Sequence, residues 1–252
     1  MNKLPRINIL GVPVNPLTMD EALNYLTSCI EAKKTTNVVT ANAEIIMLGH
    51  NDSAYAKILQ SASCVLPDGA GTVWGGRKLG FHVPERVAGF DLFLELMKAS
   101  GEKNFKVYFF GSAPGVAEAA KEKCLKMFPG VNIVGCRNGF FTEADNSKII
   151  ADINASGAEV LFVALGAPKQ EIWIAQHSQA LKPFLRIGIG GSFDVLAGKM
   201  QRAPKWMQEA SLEWLFRLYK QPSRLGRMMV LPKFVIKILE AKYSGKDIDK
   251  PQ

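Results

Sequence analysis

The chain has 252 residues, 48% of them hydrophobic, with a formal net charge of +8 at pH 7, and this length and apolar content suit one well-packed domain with an extension. No run approaches the roughly 18 consecutive apolar residues of a membrane-spanning helix, and the first residues lack the apolar segment of a signal peptide, so we expect a cytoplasmic protein. The four cysteines form no C-x-x-C pair and the three histidines lack metal-ligand spacing, which disfavours a redox centre or a zinc site.

The predicted elements begin with a helix that a capping box opens, because Thr18 is followed three residues later by Glu21. Beyond this helix, apolar and β-branched runs predict strands, and helical patterns such as residues 114–128 lie between them. The predicted strands are residues 37–41, 63–67, 106–110, 131–135, 159–166 and 185–191. Strands that alternate with helices predict an α/β fold over residues 1–198, with a Rossmann-like, largely parallel sheet flanked by helices.

Four turns that follow these strands are expected at one edge of the sheet. They are TANAE (40–44), PDGAG (67–71), GSAPG (111–115) and GAPKQE (166–171). In open α/β sheets, ligands bind outside the carboxyl ends of the strands, where helix N-termini present backbone N–H groups. Gly111 and Gly166 directly follow a strand, which suits a close approach of the backbone to a phosphate. Glycine-proline turns also occur as plain turns, so each motif alone is weak evidence.

Asp68 is a lone carboxylate at the end of an apolar strand, beside a glycine-rich turn. The dipeptide Asp-Gly after a proline is a strong turn signal, and aspartate also caps helices. A carboxylate at a strand end with glycines beside it also suits catalysis, because the glycines leave room for a substrate. The residues alone leave both interpretations open.

Two common enzyme classes are disfavoured by the motifs at residues 188–194. The stretch GIGGSF lacks the G-x-G-x-x-G spacing of a dinucleotide site and an acidic residue about 20 positions later. The stretch GGSFD departs from the G-x-S-x-G elbow of a serine hydrolase at its last position, which is Asp194. An NAD(P)-dependent oxidoreductase on the same kind of sheet stays a more distant alternative.

The positive charge is concentrated near the end of the chain. Residues 199–246 contain 11 basic and 3 acidic residues, and this local net charge of +8 equals that of the whole chain. The same segment is rich in bulky apolar residues such as Trp206 and Trp214. The pattern predicts a basic amphipathic helical appendage, followed by a polar tail at residues 247–252.

Two interpretations of the appendage stay open. Helices that mix basic and aromatic residues lie on anionic membranes, and interleaved bulky apolar residues favour a membrane surface over nucleic acid. Alternatively, the apolar face packs on the body of the protein or on a second subunit. Both hold if the appendage is buried in a homo-oligomer when the protein is soluble and is released at the bilayer. A non-catalytic membrane-binding module is a further alternative.

The motifs, in their order along the chain, resemble those of the WecG/TagA/CpsF glycosyltransferases. They are TANAEI, LPDGAGTVW, PERVAGFDL, FFGSAPG, GAPKQE, GIGGSFDVLAGK and RAPKWMQEASLEWLFRL. The resemblance implies an inverting enzyme that moves N-acetylmannosamine from UDP-ManNAc to the 4-hydroxyl of GlcNAc-diphospho-undecaprenol, as in wall teichoic acid linkage-unit synthesis. The corresponding transfer from UDP-ManNAcA or another UDP-sugar to a different surface polysaccharide is the alternative.

The resemblance favours catalysis by Asp68, as the general base that deprotonates the acceptor hydroxyl. It implies that Thr40 and Asn42 orient the donor sugar, although Asn42 is also a natural N-cap for a helix over residues 42–49. Gln170 is expected to reach polar groups of the donor. The substrate-binding set that the resemblance implies also includes Gly111 and Gly166.

Arginines complete the expected site. Arg86 offers a planar fork for a phosphate or a sugar carboxylate, or else pairs with Glu85 or Asp91 at the surface. The resemblance also implies three substrate-binding arginines in the appendage, which fold back over the pocket and bind the diphosphate of donor or acceptor. They are Arg217, Arg224 and Arg227.

The resemblance implies a peripheral protein on the inner face of the cell membrane, without a metal or other cofactor. The D-x-D pattern that marks metal-dependent sugar transfer occurs only at Asp247–Asp249, in the polar tail. Arginines and helix N-termini would then stabilise the leaving group in place of a metal. The expected partners are the UDP-sugar donor, the lipid-linked acceptor and an anionic membrane surface.

Overall fold

The computed structural model describes residues 4–210, 212–220, 226 and 229–244, and it shows an α/β fold. The strands are β1 (Ile7–Ile9), β2 (Val12–Val14), β3 (Thr36–Ala41), β4 (Cys64–Pro67), β5 (Lys106–Gly111), β6 (Asn132–Arg137), β7 (Val160–Ala164) and β8 (Leu185–Gly188). Each of the predicted strands is therefore confirmed. The hairpin of β1 and β2 was not predicted, because three-residue strands carry too little periodicity.

The helices lie between and after the strands. They are α1 (Met19–Glu31), α2 (Ala43–Asn51), α3 (Ser53–Ser61), α4 (Gly69–Lys78), α5 (Gly89–Lys103), α6 (Val116–Met127), α7 (Asn146–Ala155), α8 (Lys169–Gln176), α9 (Ser192–Leu196), α10 (Lys205–Glu209), α11 (Glu213–Lys220) and α12 (Val230–Ser244). A short 3₁₀ helix over Glu143–Asp145 precedes α7. The predicted capping box of α1 is confirmed, because the Glu21 amide donates to Thr18 Oγ1 and the Thr18 amide donates to Glu21 Oε2.

The main sheet has six parallel strands in the order β4-β3-β8-β7-β5-β6. Its central strands are buried on both faces, which explains why they are continuous apolar runs rather than alternating ones. One face of the sheet packs on a cluster of phenylalanine rings. Phe93 lies edge-on to Phe162 at 4.8 Å between ring centroids, and Phe109 stacks on Phe193 at 4.5 Å.

The last helix of the described structure packs on the body. Phe234 and Ile238 of α12 are fully buried in the second core cluster, against α2 and α4. A Cβ at Gly75 of α4 would lie only 2.8 Å from the Phe234 ring, so the two helices meet at a position that glycine leaves open. Of the two interpretations of the appendage, packing on the body therefore describes this face of α12. Val235 and Ile236, on other faces of the helix, are exposed.

Candidate active site

A cavity of about 180 Å³ lies at the carboxyl ends of β4, β3, β8 and β7, which are neighbours in the sheet. Its lining includes Asp68 after β4, Asn42 after β3, Ser192 after β8 and Gly166 after β7. The cavity lies outside the carboxyl edge of this open parallel sheet, next to β3 and β8, which are neighbours in the sheet but far apart in the chain. Ligands of open α/β sheets bind at such points.

Asp68 lines this cavity and is half-buried. Its backbone has the extended conformation of an N-cap residue at the start of α4, and its amide donates to the Ala41 carbonyl. Its side chain, however, makes no capping hydrogen bond to the first turn of α4. The helix-cap interpretation therefore does not describe this carboxylate, whose position suits a reaction in the cavity.

Thr40 and Asn42 also line the cavity, and the N-cap interpretation of Asn42 is confirmed. Asn42 Oδ1 accepts a hydrogen bond of 3.0 Å from the Ile45 amide at the start of α2. Thr40 is a buried residue of β3, and a Cβ at Gly89 would lie 2.9 Å from its hydroxyl. Gly89 thus allows the N-terminus of α5 to approach the strand end closely. Contact of Thr40 and Asn42 with a donor sugar stays a prediction.

Gln170 is buried beside the cavity, and both groups of its amide have partners within the protein. Its Oε1 accepts from the Gly190 amide at 3.0 Å, and its Nε2 donates to Glu171 Oε1 at 2.7 Å. The side chain fills space that Gly188 leaves open, since a Cβ there would lie 2.5 Å from Gln170 Nε2. Gln170 therefore fixes the loop after β8 against α8, and its expected contact with the donor stays a prediction.

Glu171 is a buried carboxyl group that the sequence analysis did not single out. It accepts hydrogen bonds from Gln170 and from the Tyr55 hydroxyl at 3.2 Å. Burial raises the pKa of this carboxyl above its ordinary value, although its hydrogen bonds oppose the shift. Helical periodicity could have predicted the burial of Glu171, because it lies three residues before the buried Ile174 and therefore on the same face of α8.

Three of the four expected turns contribute to the cavity, whereas GSAPG does not. Gly111 ends β5, one strand farther along the sheet, and a Cβ there would lie 2.4 Å from the Ala164 backbone. Ser112 donates a hydrogen bond of 3.1 Å to Asp194. Close packing of β5 against β7 thus explains the glycine, and a role of Gly111 in substrate binding stays a prediction.

Arg86 forms an ion pair that the sequence analysis did not foresee. Its Nη1 lies 2.5 Å from Glu213 Oε2 of α11, so the expected pairing with Glu85 or Asp91 is wrong. Glu85 instead accepts a hydrogen bond from the Met19 amide, and Asp91 binds Arg202 through two hydrogen bonds of 2.6 and 2.7 Å. The sequence could not predict the partners of the two arginines, because they are far apart along the chain and only the tertiary fold brings them together.

Arg202 is a further cavity residue, and it connects the body with α11. Besides its bonds to Asp91, its guanidinium lies over the Phe90 ring at 5.0 Å, and its Nε is 3.5 Å from Glu213 Oε1. Glu213 therefore lies between two arginines and lines the cavity itself. These contacts bring the first turn of α11 to the site.

A second, more open groove lies along α4 and has a volume of about 640 Å³. Five residues of α4 line it, together with residues 84–86 and Gln208. Arg86 lines the groove and its partner Glu213 lines the cavity, so this ion pair stands between the two spaces.

The three arginines of the appendage lie wholly or partly outside the described residues. Arg224 and Arg227 lie outside the described residues, and of Arg217 the structure describes the backbone within α11 but not the side chain. Their expected contact with a diphosphate therefore stays a prediction.

None of the helices in the described ranges is long and apolar enough to cross a bilayer. The same part of the chain brings no three His, Cys, Asp or Glu side chains together in a way that would hold a metal ion.

Comparison with known proteins places these observations in context. The family model described as "Glycosyl transferase WecG/TagA/CpsF family" matches residues 7–248. A Bacillus spizizenii (strain W23) protein named N-acetylglucosaminyldiphosphoundecaprenol N-acetyl-beta-D-mannosaminyltransferase is 36% identical over 234 residues, which cover 90% of each chain. A Bacillus subtilis (strain 168) protein of the same name is 31% identical over 239 residues, 94% of this chain and 93% of the relative.

Proposed function

Because the chain belongs to the WecG/TagA/CpsF family of glycosyltransferases, we propose that it transfers N-acetylmannosamine from UDP-ManNAc to the 4-hydroxyl of GlcNAc-diphospho-undecaprenol, with inversion. The name shared by the two relatives supports this acceptor and this sugar. The structural observation that carries the proposal is the position of Asp68, a carboxylate that lines a cavity at the carboxyl ends of four neighbouring strands.

In this reaction Asp68 acts as the general base. Its carboxylate accepts the proton of the acceptor hydroxyl while the hydroxyl oxygen forms a bond with the anomeric carbon. The bond from that carbon to the UDP oxygen breaks on the opposite face, and UDP leaves with the electron pair. Inversion follows because attack and departure occur on opposite faces.

The departing diphosphate needs stabilisation of its negative charge. The N-termini of α2 and α5 border the cavity and present backbone N–H groups and the positive ends of their dipoles. Arg217, Arg224 and Arg227 of the appendage are the proposed further contacts. No metal or other cofactor takes part in this proposal.

The acceptor also accounts for the composition of the appendage. A lipid-linked diphosphate lies at the membrane, and we place the protein peripherally on the inner face of the cell membrane. The exposed Val235 and Ile236 of α12, next to Lys233 and Lys237, support such a contact. A homo-oligomer that covers this surface when the protein is soluble belongs to the same proposal.

The direct test is a transfer assay with a short-chain GlcNAc-diphospho-lipid and mass detection of the product. We expect a product heavier by one N-acetylhexosamine with UDP-ManNAc, and NMR of that product should show the inverted anomeric configuration at a 4-linked sugar. Product formation only with UDP-ManNAcA would select the alternative donor. Stabilisation of the fold by NAD but not by UDP would instead favour the oxidoreductase alternative.

A further inference from the structure

One face of α4 lines the groove from Ala70 to Lys78, with Trp74 and Arg77 exposed on it and Val73 buried. The residues of α4 that line the groove recur at helical spacing and therefore form a single stripe. They are Ala70, Val73, Trp74, Arg77 and Lys78. The opposite face is fixed in the core, where Gly75 meets Phe234 of α12 and Gly76 meets Val83. Packing therefore fixes the orientation of the stripe, with its side chains toward the groove.

The stripe has a chemical order that starts at the proposed base. Ala70, beside Asp68, is small and leaves space at the cavity end of α4. Trp74 follows one turn later and has 38% of its surface exposed. Arg77 and Lys78 end the helix, about 13 Å from its start at a rise of 1.5 Å per residue. A small residue, an aromatic ring and two cations therefore follow one another away from Asp68.

The far end of the groove is positively charged. Arg77 donates hydrogen bonds to the carbonyls of Val83 and Pro84 in the opposite wall of the groove. Because carbonyl groups carry no net charge, these bonds do not neutralise the Arg77 guanidinium. Lys78 forms no ion pair within the described ranges. The carboxylate of Glu85, which also lines the groove, accepts a hydrogen bond from the Met19 amide. An anion in the groove would therefore contact the Arg77 guanidinium and the Lys78 ammonium group at the end of α4.

We propose that the groove along α4 is the binding site of the sugar-diphospho-lipid acceptor, whose identity rests on the proposed function. The sugar packs against Trp74 with its hydroxyl at Asp68, and the diphosphate contacts Arg77 and Lys78. The order of groups on α4 is the order of groups along the acceptor, which is hydroxyl, sugar ring, diphosphate and lipid. The donor occupies the cavity at the strand ends, which Asp68 lines and which adjoins the groove at the Arg86–Glu213 pair.

The groove also suits the lipid, because the helix behind it carries an apolar surface. α12 packs against α4 through Phe234 and exposes Val235 and Ile236. A polyprenyl chain that leaves the cationic end of the groove can continue into the membrane on which α12 lies.

The test measures the two substrates separately, with UDP-ManNAc and a soluble, short-chain GlcNAc-diphospho-lipid. We expect Trp74→Ala to raise the acceptor KM about ten-fold, equivalent to about 1.4 kcal/mol, and to leave the donor KM within about two-fold of wild type. Lys78→Gln should raise the acceptor KM and weaken its dependence on salt. Phe140→Ala and Lys98→Gln remove an exposed ring and an exposed cation elsewhere, and both should keep the wild-type KM values.

The outcomes separate this inference from the proposed function. If wild type and the Trp74 and Lys78 variants transfer the sugar with the same acceptor KM, the groove is not the acceptor site, although the function stands. If wild type transfers no sugar, equilibrium binding of the same short-chain compound shows whether the groove binds the acceptor. Binding to wild type that is weakened by Trp74→Ala still supports the groove, and equal binding to both, or none to wild type, overturns it.

Discussion

At the scale of single residues, Asp68 is the most direct test of the proposed chemistry. Asp68→Asn preserves the shape of the side chain and removes its basicity, so turnover should fall roughly 10²- to 10⁴-fold. The melting temperature should stay near that of wild type. The measurements are initial rates with the soluble acceptor and thermal unfolding of the same preparations. Near-normal turnover would remove Asp68 from the mechanism.

Asp52 provides a matched control, because it is an aspartate that does cap a helix. Its Oδ1 accepts from the Ala54 and Tyr55 amides at the start of α3. Asp52→Ala should cost about 1 kcal/mol of stability and leave turnover of the folded enzyme unchanged, whereas Asp68→Ala should show the opposite pattern.

Glu171 should make the stability of the protein depend on pH. Burial raises its pKa in the folded state, so the folded state holds the proton more tightly than the unfolded chain. This contribution to stability is fully present below the unfolded pKa of about 4.3 and is lost as the pH rises through the folded pKa. Glu171→Gln keeps a neutral hydrogen-bond acceptor for Tyr55. Its free energy of unfolding at pH 8 should therefore be higher than that of wild type.

Denaturant unfolding of wild type and Glu171→Gln between pH 5 and pH 8 tests this effect. The difference in free energy of unfolding between the two proteins should become smaller toward pH 5. A constant difference would show that the carboxyl group does not bind its proton more tightly in the folded state.

Residue chemistry predicted positions near the site better than it predicted partners. Asp68, Thr40, Asn42, Gly166 and Gln170 all line one cavity, because the carboxyl ends of parallel strands meet at one edge of the sheet. The carboxylate partners of the arginines were not predictable, since they come from elements that are distant in sequence. The buried position of Glu171 was visible only as helical periodicity.

At the scale of elements, the contact of α4 with α12 depends on Gly75. A Cβ at this position would lie 2.8 Å from the Phe234 ring and 3.1 Å from Ile238, and both side chains are fully buried. Gly75→Ala should therefore destabilise the protein by about 1–3 kcal/mol, as overpacked cores do.

Thermal or denaturant unfolding measures this cost, and a second substitution checks its cause. Gly75→Ala combined with Phe234→Leu should be more stable than the sum of the two single changes predicts, because the smaller side chain makes room for the methyl group. Strict additivity would mean that the two positions do not interact.

The appendage shows which part of an element the sequence can predict. An apolar stripe on a basic helix indicates burial of that stripe, but it does not say whether a membrane or the protein covers it. In α12 the body covers Phe234 and Ile238, because small residues on α4 leave a matching surface. The exposed Val235 and Ile236 remain for the membrane contact that we propose.

At the scale of the whole molecule, catalysis is expected to proceed without a divalent metal. The N-termini of α2 and α5 border the cavity, and their backbone N–H groups can stabilise a leaving diphosphate. Initial rates in saturating EDTA should therefore remain within about two-fold of those without it, a change of only about 0.4 kcal/mol in the barrier. Loss of activity that magnesium or manganese restores would contradict this expectation.

The order of strands in the sheet has a consequence for how the chain reaches its folded state. The first strand of the sheet, β3, pairs with the last, β8, and Thr36 lies opposite Leu185. Until residues 185–188 leave the ribosome, β3 with β4 and β7 with β5 and β6 are two sheet fragments that no described strand joins. Closing so long a loop is slow. Because the cavity spans this junction, we expect the proposed active site to be the last part of the sheet to assemble, so that a nascent chain binds substrate only when its fold is nearly complete.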